Sequence, residues 1–382
     1  MFTVIVAFYV LALTVSLLHL ATSAVITTLR MKAGSDLFAG PGPKVSVLKP
    51  LKGLDDQLEE NLRSFFELDY SHYEVIFGLN TRADPAFDVV RKLTLEYAHI
   101  SAKIVISDFE IGLNPKINNL YNMDGQATGE YLLISDSNTR VQRNFLKQMV
   151  QELRQPDVGL VTATLRGVGA KQPAAVMENL HINAYISPNV FVAHALSGIP
   201  VVIGKSILIP RHLLQQMGGF AAFKNYLAED YLLGLRTKEL GYRVRTIPAL
   251  VDNVNVNWSF KHFLNRHTRW AKMRRSMHLH HYIIESFSNP VALSVILAFL
   301  LHNALGIEQA AAVTLLKMMH DRYVSGLVRS DLRWYHYLLV PLKDLLIGVL
   351  WFIPFLSYKV NWRNNYFRIG RESLLQPQPS FK

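Results

Sequence analysis

The sequence predicts an α/β protein, a mostly parallel sheet flanked by helices, with an N-terminal transmembrane helix and further membrane helices near the C-terminus. Three observations predict it. Residues 1–29 carry no Asp, Glu, Lys or Arg. From Val45 to Thr164, short β-rich runs alternate with helix-like stretches, the pattern of a parallel sheet covered on both faces. From Pro290 onward long apolar stretches return. The composition agrees: half of the 382 residues are hydrophobic, and that length holds one sizeable domain plus membrane segments, or two modest domains.

Taken in order, residues 1–29 form the anchor. At about 1.5 Å per residue they cross a hydrocarbon core of about 30 Å with room for tilt. A cleaved signal peptide is the competing reading, but no basic segment precedes the run, and signal-peptide cores span only about 7–15 residues. Arg30, Lys32 and Lys44 follow the run and place the next segment on the cytoplasmic side. Residues 30–43, with Gly40-Pro41-Gly42-Pro43, read as a linker. The α/β domain occupies 44–258. Its strands are expected at Val45–Leu48, Glu74–Leu79, Lys103–Ile106, Tyr131–Ile134 and Gly159–Thr164, and its helices at Gln57–Phe66, Ala86–Tyr97, Ile117–Gln126 and Asn144–Leu153. Residues 259–287 are basic and interfacial, 288–358 hold the C-terminal membrane segments, and 359–382 form a tail. Within 288–358, Pro290–Leu301 is uncharged and Tyr335–Leu356 is apolar apart from Lys343 and Asp344. Two spans fit, as does one span with a re-entrant or interfacial piece. Lys343–Asp344 reads either as an intramembrane pair or as a pair at the headgroup level.

The chain has no cysteine, which removes disulfides, thiolate metal sites and thiol nucleophiles. The net charge of +11 suits nucleic acid, a phosphate-bearing substrate or an anionic lipid surface, and the membrane segments favour the last two.

Ligands of such sheets bind beyond the carboxyl ends of the strands, so the residues there are the candidates. The run ending at Ile134 leads into Ser135-Asp136-Ser137-Asn138. Asp136 can hold a divalent cation that also grips a diphosphate, or it can start a turn and cap the next helix. Asp230, in Ala228-Glu229-Asp230-Tyr231, can take a proton from an attacking hydroxyl or be an ordinary first-turn acid. In the block from Lys261 to Arg275, Arg266 and Arg269 share a helix face. Two guanidinium forks beside the Trp270 ring match diphosphate oxygens, and a basic amphipathic helix lying on anionic lipid is a compatible reading. Asp84-Pro85 and Asn114-Pro115-Lys116 both precede helix-like runs. Asp84 alone reads as a helix-starting residue, and Lys116 either reaches a phosphate or faces water.

Together these residues resemble the ceramide glucosyltransferase family, whose pattern is three spaced aspartates followed by Gln/Arg-x-x-Arg-Trp. Asp84, Asp136, Asp230 and Arg266-His267-Thr268-Arg269-Trp270 meet it, and the strings Leu48–Gly53, Phe66–Tyr70, Asn114–Asn119 and Ala228–Tyr231 fit as well. The similarity runs from about Val45 to Arg275. It implies a cytoplasm-facing GT-A-type domain that moves glucose from UDP-glucose to the primary hydroxyl of ceramide with inversion. It implies Asp84 and Lys116 near the nucleotide-sugar, Asp136 at Mg2+ or Mn2+ and the diphosphate, and Asp230 as base. Arg266, Arg269 and Trp270 would close over diphosphate and acceptor. The implied partners are a UDP-sugar, a ceramide-like lipid and the bilayer, with no nucleic acid. One departure is Asn138, where many related transferases carry a second carboxylate; an amide offers a cation only a neutral oxygen. Hopanoid N-acetylglucosaminyltransferases share most of the pattern, polysaccharide synthases share the last element but need more spans, and a non-catalytic nucleotide-sugar-binding protein is the alternative from another class.

Overall fold

The computed structural model describes residues 1–32, 37, 38, 40–362 and 365–377, so parts of the expected linker and tail lie outside the described residues. The chain forms two units: one of Ala33–Val168 with Ala193–Asn255, the other of Met1–Lys32, Gly169–Val192 and Val256–Lys382. The segment Gly169–Val192, inside the 44–258 domain of the sequence reading, groups with the second unit.

The first unit is built on an eight-stranded sheet. Its strands are β1 (Val45–Pro50), β2 (Tyr73–Leu79), β3 (Ser101–Ile106), β4 (Tyr131–Ile134), β5 (Thr139–Val141), β6 (Val158–Val168), β7 (Ile207–Pro210) and β8 (Arg243–Val254), in the order β3-β2-β1-β4-β7-β6-β8-β5. The first four pair in parallel, and β6 pairs in parallel with β8. β2 is buried along its whole length, which is why it reads as a nearly continuous apolar run rather than an alternating one. The helices Leu58–Phe66, Ala86–Glu96, Pro115–Asp124 and Phe145–Leu153 fall within two residues of their expected bounds. β5, β7 and β8 go beyond the expected strands, and two of them break the parallel rule: β7 runs antiparallel between β4 and β6, and β5 antiparallel beside β8.

That reversal positions the site. Ile207, the first residue of β7, lies opposite Ile134, the last residue of β4. The residues just before β7 therefore sit beside the residues just after β4, and a carboxylate leaving one strand meets side chains entering the other.

The second unit is largely helical. Phe2–Lys32 and Trp334–Leu356 are long and apolar enough to cross a membrane, and Leu279–Ser288 with Pro290–Leu301 forms a pair bent by 73° that would make a third span if it crosses as one. Lys343 and Asp344 belong to a buried network rather than an isolated pair. Lys343 Nζ lies 2.8 Å from Asp344 Oδ1 and 3.6 Å from Asp321 Oδ2, and Lys317 pairs with Asp321 and approaches Asp344 Oδ2 at 3.5 Å. Two ammoniums and two carboxylates thus neutralise one another away from water, the arrangement that makes buried charge tolerable. The tail folds into a small antiparallel sheet of β9 (Lys359–Trp362), β10 (Asn365–Ile369) and β11 (Leu375–Pro377) that the sequence reading did not anticipate.

Candidate active site

Helix Pro115–Asp124 begins with a capping arrangement: the Asn114 side chain accepts from the Lys116 and Ile117 amides at 2.9 and 3.1 Å, and Pro115 occupies the first turn, where its missing N–H costs nothing. This start fixes Lys116. Its ammonium lies 2.9 Å from Asp136 Oδ1, 3.0 Å from Glu229 Oε1 and 3.1 Å from the Gly204 carbonyl. Asn114 also donates to the Tyr226 carbonyl at 2.6 Å and to Glu229 at 3.3 Å, tying the loop before helix Glu229–Glu239 to the same corner. Asp136, Lys116, Glu229 and Asp230 therefore lie together past the end of β4, Glu229 beside the three that the sequence singled out.

The fourth wall comes from Gly204 and Lys205, which the sequence reading passed over. Lys205 Nζ lies 2.9 Å from Asp136 Oδ2 and 2.6 Å from Asn138 Oδ1. The Gly204 amide donates to Asp230 Oδ2 at 2.9 Å, and the Tyr231 amide donates to Oδ1 at 2.8 Å. A Cβ on Gly204 would come within 2.7 Å of that carboxylate oxygen, so only glycine allows the approach. Lys49, buried at the end of β1, donates to Ser135, Thr139 and the Asp136 carbonyl and holds the Asp136 turn from beneath.

The electrostatics separate the two aspartates. At Asp136, burial works against ionisation, but Lys116 and Lys205 outweigh it and hold the carboxyl far below its usual value. At Asp230, burial raises the carboxyl and the neighbouring Glu229 adds to it, pushing it up to about 6 against the pull of Lys116. Burial would lower the Lys116 ammonium, yet Asp136, Glu229 and Asp230 raise it above the ordinary lysine value. The two carboxyls are thus shifted in opposite directions, Asp136 down by its two lysines and Asp230 up by burial and Glu229.

Asp84 is engaged differently. Its carboxylate accepts from the Gly53 amide at 3.0 and 2.9 Å and from the Ala86 amide at 2.9 Å. It ties the loop after β1 to the start of helix Ala86–Glu96, where Gly53 has a φ of +70°.

In the second unit, helix Phe260–Met277 starts at Ser259, whose side chain accepts from the His262 amide at 3.2 Å. Arg266 is buried: its Nε lies 3.2 Å from Glu178 Oε1, and its guanidinium lies over the Trp258 and Trp270 rings at 5.0 and 4.2 Å. His267 Nε2 lies 2.9 Å from the other Glu178 oxygen. Arg269, one turn on, lies over the Trp362 ring at 5.9 Å. The two arginines of the motif therefore have different surroundings, and Glu178 neutralises the first. The same unit encloses a cavity of about 350 Å³. Apolar residues such as Leu293 and Ile347 line it together with His267, Tyr185 and Arg274.

A divalent cation at Asp136 was expected from the sequence, and the donor set fits it poorly. Both Asp136 oxygens face ammoniums, and the Asn138 oxygen accepts from one of them. A doubly charged ion about 4 Å from an ammonium is repelled by roughly 8 kcal/mol at an effective dielectric of about 20. No second carboxylate offsets this at position 138.

The carboxyl edge of the sheet thus holds Asp136 between two lysines, with Asp230 beside them. The profile of glycosyl transferase family 21 matches residues 4–375, and the chain belongs to that family, as a membrane-associated hexosyltransferase. It is 28% identical to ceramide glucosyltransferase 3 of Caenorhabditis elegans over 340 residues, 86% of this chain and 73% of that one. It is 29% identical to ceramide glucosyltransferase 1 of the same organism over 265 residues, 67% of this chain but only 55% of the relative. In fold it is similar to a mannosyltransferase from Pyrobaculum calidifontis solved with GDP-Man and Mn2+, with a TM-score of 0.50 and 16% identity over 91% of this chain and 98% of that one.

Proposed function

We propose that the protein transfers glucose from UDP-glucose to the primary hydroxyl of a ceramide-like lipid with inversion, its α/β unit facing the cytoplasm. The observation that carries the reading is the pairing of a lysine-clad Asp136 with an Asp230 carboxyl raised to about 6. The first arrangement suits a diphosphate, and the second suits deprotonation of an alcohol. The similarity to ceramide glucosyltransferases supports the choice of donor and acceptor, and the apolar cavity among the helices of the second unit supports a lipid ligand. The basic residues Arg30, Lys32 and Lys44 after the first apolar helix support the orientation.

In this mechanism Asp230 removes the hydroxyl proton while the oxygen attacks the anomeric carbon opposite the departing UDP. Lys116 and Lys205 neutralise the charge that grows on the diphosphate; a stabiliser of that kind contributes about 3–4 kcal/mol. Asp84 keeps the Gly53 loop in shape at the donor site. The family motif assigns Arg266, Arg269 and Trp270 to donor binding; Arg266, paired with Glu178, serves instead to hold their helix.

The test is incubation of the purified, detergent-solubilised protein with radiolabelled UDP-glucose or UDP-N-acetylglucosamine and either ceramide or a hopanoid alcohol. A glucosylated ceramide that an inverting-product-specific β-glucosidase removes is the expected outcome. Label appearing only on the hopanoid, in a polymer, or nowhere would refute the assignment.

A further inference from the structure

We propose that the ammonium of Lys205 holds, in this chain, the place of the divalent cation that bridges carboxylate and diphosphate in metal-dependent transferases. The inference rests on the nucleotide-sugar reading above and concerns how that same site receives its donor.

The topology puts Lys205 there. β7 is antiparallel to β4, with Ile207 opposite Ile134, so the residue two before the one strand is delivered beside the residue two after the other. Lys205 reaches Asp136 Oδ2 at 2.9 Å and Asn138 Oδ1 at 2.6 Å. Those are the two oxygens that an ion held by an Asp-x-Asn turn would need, so ammonium and metal compete for the same seats.

The charges point the same way. Lys116 is already shared among Asp136, Glu229 and the Gly204 carbonyl, and Asp230 adds a further negative charge near it once ionised. Lys205 shares the Asp136 carboxylate with Lys116 and also donates to the neutral amide oxygen of Asn138. The one carboxylate within the Asp136–Asn138 turn thus faces two ammoniums, Lys116 and Lys205. The Lys205 side chain is 17% exposed, open enough to meet a ligand. Asn138 also gains a reason. A carboxylate there would neutralise the Lys205 ammonium, whereas the amide orients it without neutralising it.

The experiment is UDP binding to the full-length protein in detergent by calorimetry, once with EDTA and once with excess Mn2+. Wild type is expected to bind UDP with affinities that agree within about threefold in the two conditions. Lys205→Ala removes one charge-assisted contact and should lose about tenfold or more in EDTA, while Lys205→Arg keeps most of the affinity. The decisive arm is Lys205→Ala with Mn2+. With Asp136 Oδ2 and Asn138 Oδ1 released, the ion should restore binding, an effect that a purely structural lysine would not produce. Wild type that binds UDP only with Mn2+, or a Lys205→Ala protein with unchanged affinity in EDTA, would overturn the proposal and leave the transferase reading intact. Failure to bind UDP in either condition would overturn both.

Discussion

Asp136 and Glu178 each pair with two nitrogen-bearing side chains, and their settings differ. Asp136 lies between Lys116 and Lys205 with 26% of its side chain exposed. Glu178 lies between Arg266 and His267 with none exposed, and two tryptophans cover the arginine. The first cluster has two ammoniums on flexible lysine stems and access to solvent. The second has a planar guanidinium fixed by a carboxylate and by aromatic faces, which suits a permanent joint. What distinguishes a binding site from a structural tie here is whether the partners can exchange with a ligand, not the kind of charge.

The largest effect expected from this contrast is chemical. Asp230→Asn keeps the shape of the side chain but can accept from only one of the Gly204 and Tyr231 amides, and it cannot accept a proton. Turnover should fall by about 10²–10⁴-fold, the usual contribution of a positioned base, while UDP affinity and the melting temperature stay near wild type. A variant that keeps a tenth of the activity would remove Asp230 from the base role.

Next comes stability. Glu178→Ala leaves the Arg266 guanidinium buried without its carboxylate, a change that costs about 3–5 kcal/mol when a buried pair is broken. Thermal unfolding should shift down by many degrees. Asp136→Asn, by contrast, leaves two long ammoniums that turn toward water, and it should lower UDP affinity with little change in melting temperature. Equal destabilisation by the two substitutions would erase the distinction between tie and cradle.

How much of this was legible beforehand follows from the reach of each signal. Asp136 and Asp230 could be found because a strand or a helix start in their own segment exposes them, and the first four strands because they are buried runs separated by helices. Lys205 was not, because its meaning depends on β7, a four-residue strand whose antiparallel direction is set by pairing with β4 rather than by local sequence. The periodicity of residues 260–277 placed Arg266 and Arg269 on one face, yet nothing in that segment announces Glu178, which arrives from helix Pro173–His181. Asp84 was visible as a turn residue, and its engagement with Gly53 required the loop of another strand. Contacts within one element were readable; those made by chain crossings were not.

The smallest expected effect is also the finest test of the cradle, because it reads the base without altering a residue. A carboxyl raised to about 6 by burial and by Glu229 must be ionised to accept the hydroxyl proton. As pH falls below that value, the active fraction drops about tenfold per unit, and above it the rate is level until other groups titrate. An unperturbed aspartate, near 3.9, would leave activity flat through the same range. Glu229→Gln removes the neighbouring charge that helps to raise Asp230, so the acid limb of kcat should move to lower pH while the plateau survives in part. An acid limb that stays in place in Glu229→Gln would mean that burial alone sets the base, and that the paired acid serves only to hold Lys116.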